Sequence, residues 1–84
     1  MGNDLFAVRV IGMMSFRGIN KRQLAKRINI KEDTLAKYIS GAREPRASTV
    51  RDIAFILNTT SDYLLGVDDM KYNYYTQEME KQIL

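Results

Sequence analysis

The sequence predicts an all-α protein, a compact domain of five helices, and three observations lead to that prediction. Apolar residues recur at helical spacing along the chain, and no stretch shows the clean alternation of a half-buried strand. Glycine, asparagine and a single proline separate these helical stretches at short intervals. The length of 84 residues suits one domain, which we divide into residues 1–66 and a tail of residues 67–84.

The composition excludes several classes of protein. The chain has no cysteine and no histidine, so disulfides and ordinary zinc sites are excluded. No apolar run approaches the roughly 20 residues of a membrane span, and the N-terminal stretch lacks the basic segment of a secretory signal. The neighbouring carboxylates have no partner for acid–base chemistry. We therefore expect a soluble, cytoplasmic protein that is not an enzyme and needs no cofactor.

The first helix is expected from about Asp4 to Phe16, with Asn3 as its N-cap and Gly18 as its terminator. One face has the spacing of a core and consists of Phe6, Val10, Met13 and Met14. A second apolar row on the same helix contains Leu5, Val8 and Phe16, with Gly12 in line.

The second helix has the clearest start signal in the chain. Asn20 can cap it, and Gln23 can return a bond to the Asn20 backbone three residues earlier. Asn29 ends the helix, because asparagine tolerates the left-handed conformation that a sharp turn needs. The inner face is predicted to contain Leu24, Ala25 and Ile28.

Three more helices are expected. The third covers about Glu32 to Ser40 and ends at Gly41. The fourth runs roughly from Ser48 to Leu57, with Ser48 as its cap unless it begins a turn earlier. The fifth is capped near Thr60 and ends at Gly66. The inward residues of the third and fourth helices are Leu35, Tyr38, Ile39, Val50, Ile53, Ala54 and Leu57.

The tail has two interpretations. Thr76 can cap a sixth helix that packs on the second apolar row of the first helix, in the same subunit or in another. If the tail is helical, Tyr72, Tyr75, Met79 and Ile83 would share one face. Alternatively, the tail is the frayed end of a longer protein.

Positive charge is concentrated in the middle of the chain. Residues 17–46 hold nine lysines and arginines against three acidic residues, a net +6, whereas residues 67–84 hold two against four, a net −2. This distribution suggests a polyanionic partner, although a solvated helix face is the commoner cause of such a run.

The joint between the second and third helices has the features of a helix-turn-helix unit, with an ordinary helical hairpin as the alternative. Ala25 is small where the helices cross, and Asn29 suits the turn. The stretches "INKRQLAKRINIKEDTLAKYISGAREP", "IAFIL" and "TSDYLLG" resemble the Cro/C1-type (XRE-like) helix-turn-helix family of phage repressors and bacterial regulators. The resemblance covers residues 5–66 and implies a lambda-repressor-like DNA-binding domain whose third helix enters the major groove.

The resemblance also implies roles for individual residues. The positions that face the bases in similar proteins are occupied here by Glu32, Asp33 and Lys37. Positions that contact phosphates are Asn20, Lys21, Arg43 and Arg46. A lysine can donate to guanine O6 or N7, and a carboxylate can accept from cytosine N4. Asp33 has an alternative role as a helix cap, because Lys31 stands where the family has a capping serine or threonine.

The resemblance implies a homodimer on double-stranded DNA, with near-palindromic half-sites about 34 Å apart. The sequence departs from the family at Met14 and Ile39, which replace a charged pair, so we predict that these side chains touch in the core. The expected function is that of a sequence-specific, repressor-like transcriptional regulator. The alternative is a protein-interaction module or an antitoxin-like subunit with the same fold.

Overall fold

Five helices make up the part of the chain that the computed structural model describes, which is residues 4–67 and residue 69. They are α1 (Asp4–Arg17), α2 (Lys21–Arg27), α3 (Glu32–Ser40), α4 (Ala47–Ile56) and α5 (Ser61–Leu65). These residues contain no strand, so the all-α prediction is confirmed for them. The predicted cap Asn3 and the predicted sixth helix lie outside the described residues.

The core lies where α1 packs against α3 and α5, and where α2 and α4 close the remaining sides. Every residue predicted for the inner faces of α1 and α4 is buried, because helical spacing places those side chains on one side. Ile28 is only half-buried against this core. Tyr38 is also only half-buried. The buried apolar residues are Phe6, Val10, Met13, Met14, Leu24, Ala25, Leu35, Ile39, Val50, Ile53, Ala54, Leu57 and Leu64.

Met14 and Ile39 belong to this core. Their exposed fractions are 6% and 8%, and both lie in the same hydrophobic cluster. The family's charged pair is thus replaced by two buried apolar side chains, which leaves no ion to desolvate. Their direct contact stays a prediction.

Residues with positive φ end several helices in the same way. At the end of α1, Gly18 has a φ of 67°, and the Ile19 N–H donates to the Met14 carbonyl at 2.9 Å. At the end of α2, Asn29 has a φ of 59°, and the Ile30 N–H donates to the Ala25 carbonyl at 3.0 Å. Both are Schellman motifs, which satisfy carbonyls that a helix end would otherwise leave without a donor.

The start of α4 differs from the prediction that Ser48 caps it. The helix begins at Ala47, and the extended N-cap residue is Arg46, whose side chain makes no capping bond. Pro45 has no N–H to continue a helix and favours an extended Glu44. The helix therefore begins two residues after Pro45, at Ala47, and Ser48 lies inside its first turn.

Two arginines of α1 cap the C-terminal ends of other helices. Arg17 donates from Nε to the Leu57 carbonyl at 2.9 Å and from Nη2 to the Asn58 carbonyl at 3.1 Å, at the end of α4. Arg9 donates to the Tyr63 carbonyl at 2.6 Å near the end of α5. Cations are favourable there because helix C-termini carry unpaired carbonyls and the negative end of the dipole.

Candidate nucleic-acid interface

The helix-turn-helix unit is formed by α2, α3 and the four-residue turn between them, residues 28–31, which contains Asn29. Leu24 is fully buried, and Ala25, 2% exposed, is small enough to let α3 approach. Ile30 lies partly buried against the core, so the chain turns inward before α3 begins. This packing holds α3 in one orientation on the domain.

The outward side of α3 carries all the residues expected to face bases. Glu32, Asp33 and Lys37 are exposed, whereas Leu35 and Ile39 are buried on the opposite side. An α-helix with its side chains is about 10–12 Å in diameter, and the major groove of DNA is about 12 Å wide. The exposed side of α3 carries these three side chains in solvent.

Asp33 and Lys37 form an ion pair one helical turn apart. The Asp33 Oδ2 atom lies 3.2 Å from the Lys37 Nζ atom, and the side chains are 77% and 53% exposed. The contact that the structure shows for the Asp33 side chain is this ion pair, not a capping hydrogen bond. The N-cap residue is Lys31, which has no side-chain capping bond.

The start of α2 carries Asn20 and Lys21, both exposed. The predicted capping box is confirmed: the Gln23 N–H donates to Asn20 Oδ1 at 2.8 Å, and the Asn20 N–H donates to Gln23 Oε1 at 2.9 Å. Because the cap uses only the amide oxygen of Asn20, its amide nitrogen remains as a donor. Lys21 is the first residue of α2 and carries its charge in solvent.

The loop after α3 is folded back onto that helix. The Lys37 carbonyl accepts from the Arg43 N–H at 3.2 Å and from the Ser40 hydroxyl at 3.1 Å. The backbone of Arg43 is thereby fixed beside the exposed side of α3, while its side chain is exposed. Arg46 is also exposed, at the N-cap of α4.

The structure brings only part of the predicted site into direct contact. Lys37 is bonded to Asp33 through its side chain and to Arg43 through its carbonyl. Asn20 and Lys21 form a separate group on α2. Arg17, which counted toward the positive charge of residues 17–46, is exposed and donates to two carbonyls at the end of α4. No local pattern could reveal this, because its partners are 40 residues or more away in sequence.

The described residues contain no cluster of acidic side chains that could hold a metal ion. None of the helices within them is long and apolar enough to cross a membrane. The surface around α3 consists of exposed polar and cationic side chains. Such side chains are of the types that contact base edges and phosphates in DNA.

Comparison with known proteins points the same way. Residues 17–64 match the family model described as Helix-turn-helix. The chain is 29% identical over 66 residues to the HTH-type transcriptional regulator ImmR of Bacillus subtilis (strain 168), with 79% of this chain and 52% of the relative covered. The chain thus spans about half the length of that curated relative. No solved structure matches the chain significantly.

Proposed function

Because the chain belongs to the Cro/C1-type (XRE-like) helix-turn-helix family of DNA-binding transcriptional regulators, we propose that it is a repressor-like regulator that places α3 in the major groove. The observation that carries this proposal is the exposure of Glu32, Asp33 and Lys37 on a helix whose other side is buried. Side chains on such a surface can reach base edges without any rearrangement of the core.

Phosphate contacts on both sides of α3 would set its position in the groove. Asn20 and Lys21 donate from the start of α2, and Arg43 and Arg46 from the loop before α4. Such contacts fix register and orientation but carry no sequence information. Each neutralised phosphate releases counterions, so binding weakens as salt is added.

The protein binds as a homodimer on near-palindromic DNA in this proposal. One α3 helix of nine residues reads only a few base pairs, which is too little to specify a site in a genome. Two copies related by a two-fold axis would read half-sites about 34 Å apart, one helical turn along the same side of the duplex.

A salt titration with duplex DNA tests the proposal. We expect wild-type affinity to fall steeply with salt, and Lys21→Ala to weaken binding to all sequences alike and reduce the slope of log K against log salt by about 1. The matched control is Arg51→Ala, which removes a charge from an exposed residue of α4 outside the proposed interface. Equal slopes for both variants would contradict the assignment of Lys21.

The second candidate function is that of a protein-interaction module. It is favoured by the apolar side chains that α1 leaves in solvent, with Val8 65% and Ile11 49% exposed. Exposed apolar patches often mark protein-binding surfaces. If the wild-type protein binds no duplex DNA even at low salt, this second function replaces the first.

A further inference from the structure

Two of the exposed residues of α3 already form a unit before any DNA is present. Asp33 Oδ2 and Lys37 Nζ are 3.2 Å apart, so an acceptor and a donor lie side by side on the exposed side of the helix. Glu32 has no such partner one turn later, because residue 36 is an alanine. The ion pair therefore singles out one carboxylate of the two.

We propose, building on the proposed function, that Asp33 and Lys37 together read a single G·C base pair. In this arrangement Lys37 donates to guanine O6 and N7, while Asp33 accepts from the cytosine N4 amino group. The proposal concerns which base pair the site prefers and in which orientation.

The spacing of the ion pair matches the base pair. In the major groove a G·C pair shows the acceptor O6 beside the donor N4, joined by a hydrogen bond of about 2.9 Å between heavy atoms. The charged atoms of Asp33 and Lys37 are 3.2 Å apart, so each can face its complement at the same time. The bond between the two side chains then runs parallel to the bond between the two bases.

The pairing also removes an electrostatic obstacle. A lone carboxylate in the groove is repelled by the phosphates on both sides. Lys37 at 3.2 Å neutralises Asp33, so the pair enters the groove without a net charge. An A·T pair also shows an acceptor beside a donor, but guanine offers the ammonium group two adjacent acceptors and adenine only one. The geometry therefore favours G·C over A·T.

Selection of bound sequences from random duplex DNA identifies the base pair, and competition with its three alternatives measures the preference. We expect Asp33→Ala and Lys37→Met each to reduce the preference at the same base pair by about 5- to 150-fold. Because the two act together, the double variant should lose about as much preference as the more affected single variant, and less than the sum of the two single losses. Arg51→Ala should keep the wild-type preference.

Exchanging the two residues gives a sharper test. The double variant Asp33→Lys with Lys37→Asp restores the ion pair but swaps donor and acceptor, so its preference should change from G·C to C·G at that position. If circular dichroism shows that this variant does not fold, the single variants decide the question.

Two kinds of failure are distinguishable. The joint reading is overturned if the single variants reduce the preference at different base pairs. It is also overturned if the wild-type protein prefers A·T, or no base pair, at the position that these variants affect. In both cases DNA binding itself stands. Absence of duplex binding by the wild-type protein at low salt overturns the proposed function itself.

Discussion

Asn29 holds the turn between α2 and α3 with a φ of 59°, a conformation that strains most side chains. We predict that Asn29→Ala lowers the free energy of unfolding by about 1–2 kcal/mol, because alanine in the left-handed region is strained. Asn29→Gly should be more stable than Asn29→Ala, since glycine adopts positive φ freely. Urea denaturation measures both. Equal stability of the two variants would show that the turn imposes no left-handed conformation.

Asn20 combines a structural role with a proposed phosphate contact, and one substitution can separate them. Asn20→Asp keeps the oxygen that accepts from the Gln23 N–H, so we predict a melting temperature close to that of the wild type. It removes the amide donor and adds a negative charge, so DNA affinity should fall. Asn20→Ala is the comparison for the cap and should cost about 1 kcal/mol of stability. If Asn20→Asp binds DNA as the wild type does, Asn20 contacts no phosphate.

Two buried apolar residues, Met14 on α1 and Ile39 on α3, replace the family's ion pair. Met14→Arg alone should destabilise the domain by about 3–5 kcal/mol, because it buries a charge without a partner. Adding Ile39→Glu should recover part of this loss if the side chains are neighbours, with a coupling energy of about 0.5–3 kcal/mol. Unfolding of the two single variants and the double variant measures it. Additive effects would place the two side chains out of contact.

The join between α1 and α4 is made by Arg17, which donates to two carbonyls at the end of α4. We predict that Arg17→Met lowers the free energy of unfolding by about 1 kcal/mol, since the methionine keeps the apolar stem but loses both hydrogen bonds. The control is Arg22→Met, at an exposed arginine of α2. Thermal unfolding should leave the control near the wild type. A drop of the same size in both variants would mean that any loss of positive charge has this effect.

At the scale of the whole molecule, the chain directly after α5 lies beside α1. Gly66 lies against Leu5, since a Cβ added at Gly66 would come within 2.7 Å of the Leu5 Cδ2 atom. Three residues later, Asp69 Oδ1 is 3.0 Å from Arg9 Nη2. Gly66 and Asp69 therefore lie beside α1, near Leu5 and Arg9.

We propose that the tail of the same subunit covers the second apolar row of α1. Val8 and Phe16 of this row are 65% and 51% exposed, and residues 8 to 16 of α1 extend over about 12 Å. A helix of residues 76–84 would be about 13 Å long and would present Met79 and Ile83 to the row. The two lengths match, and Asp69 lies beside Arg9, the residue after Val8.

Engineered cysteines test this packing in a chain that has none of its own. If the tail packs on this row, Gly12→Cys with Met79→Cys should form an intramolecular disulfide. Gly12 accepts a larger side chain, because a Cβ added there meets no atom within 4 Å. The control pair is Phe55→Cys with Met79→Cys, since Phe55 is 80% exposed on α4. We expect faster oxidation of the first pair, measured on non-reducing gels. Covalent dimers, or equal rates for both pairs, would contradict packing within one subunit.

Much of the fold could be read from local patterns. Asn20 and Gln23 signal the start of α2, and Asn29, Gly41 and Gly66 signal ends, because caps and turns act over a few residues. Helical spacing likewise identified the buried faces of α1 and α4. The predicted N-cap of α4, Ser48, was wrong by two residues, because the observed N-cap, Arg46, makes no side-chain bond that a pattern could reveal.

The site residues show the same difference between local patterns and contacts of distant residues. The exposure of Glu32 and Lys37 follows from the apolar period of α3, so sequence alone could place them on the surface. The contacts of Arg17 and Arg9 could not be foreseen, because they join residues 40 and 54 positions apart. Short-range signals lie in consecutive residues, whereas these contacts exist only once the core has brought α1 beside the ends of α4 and α5.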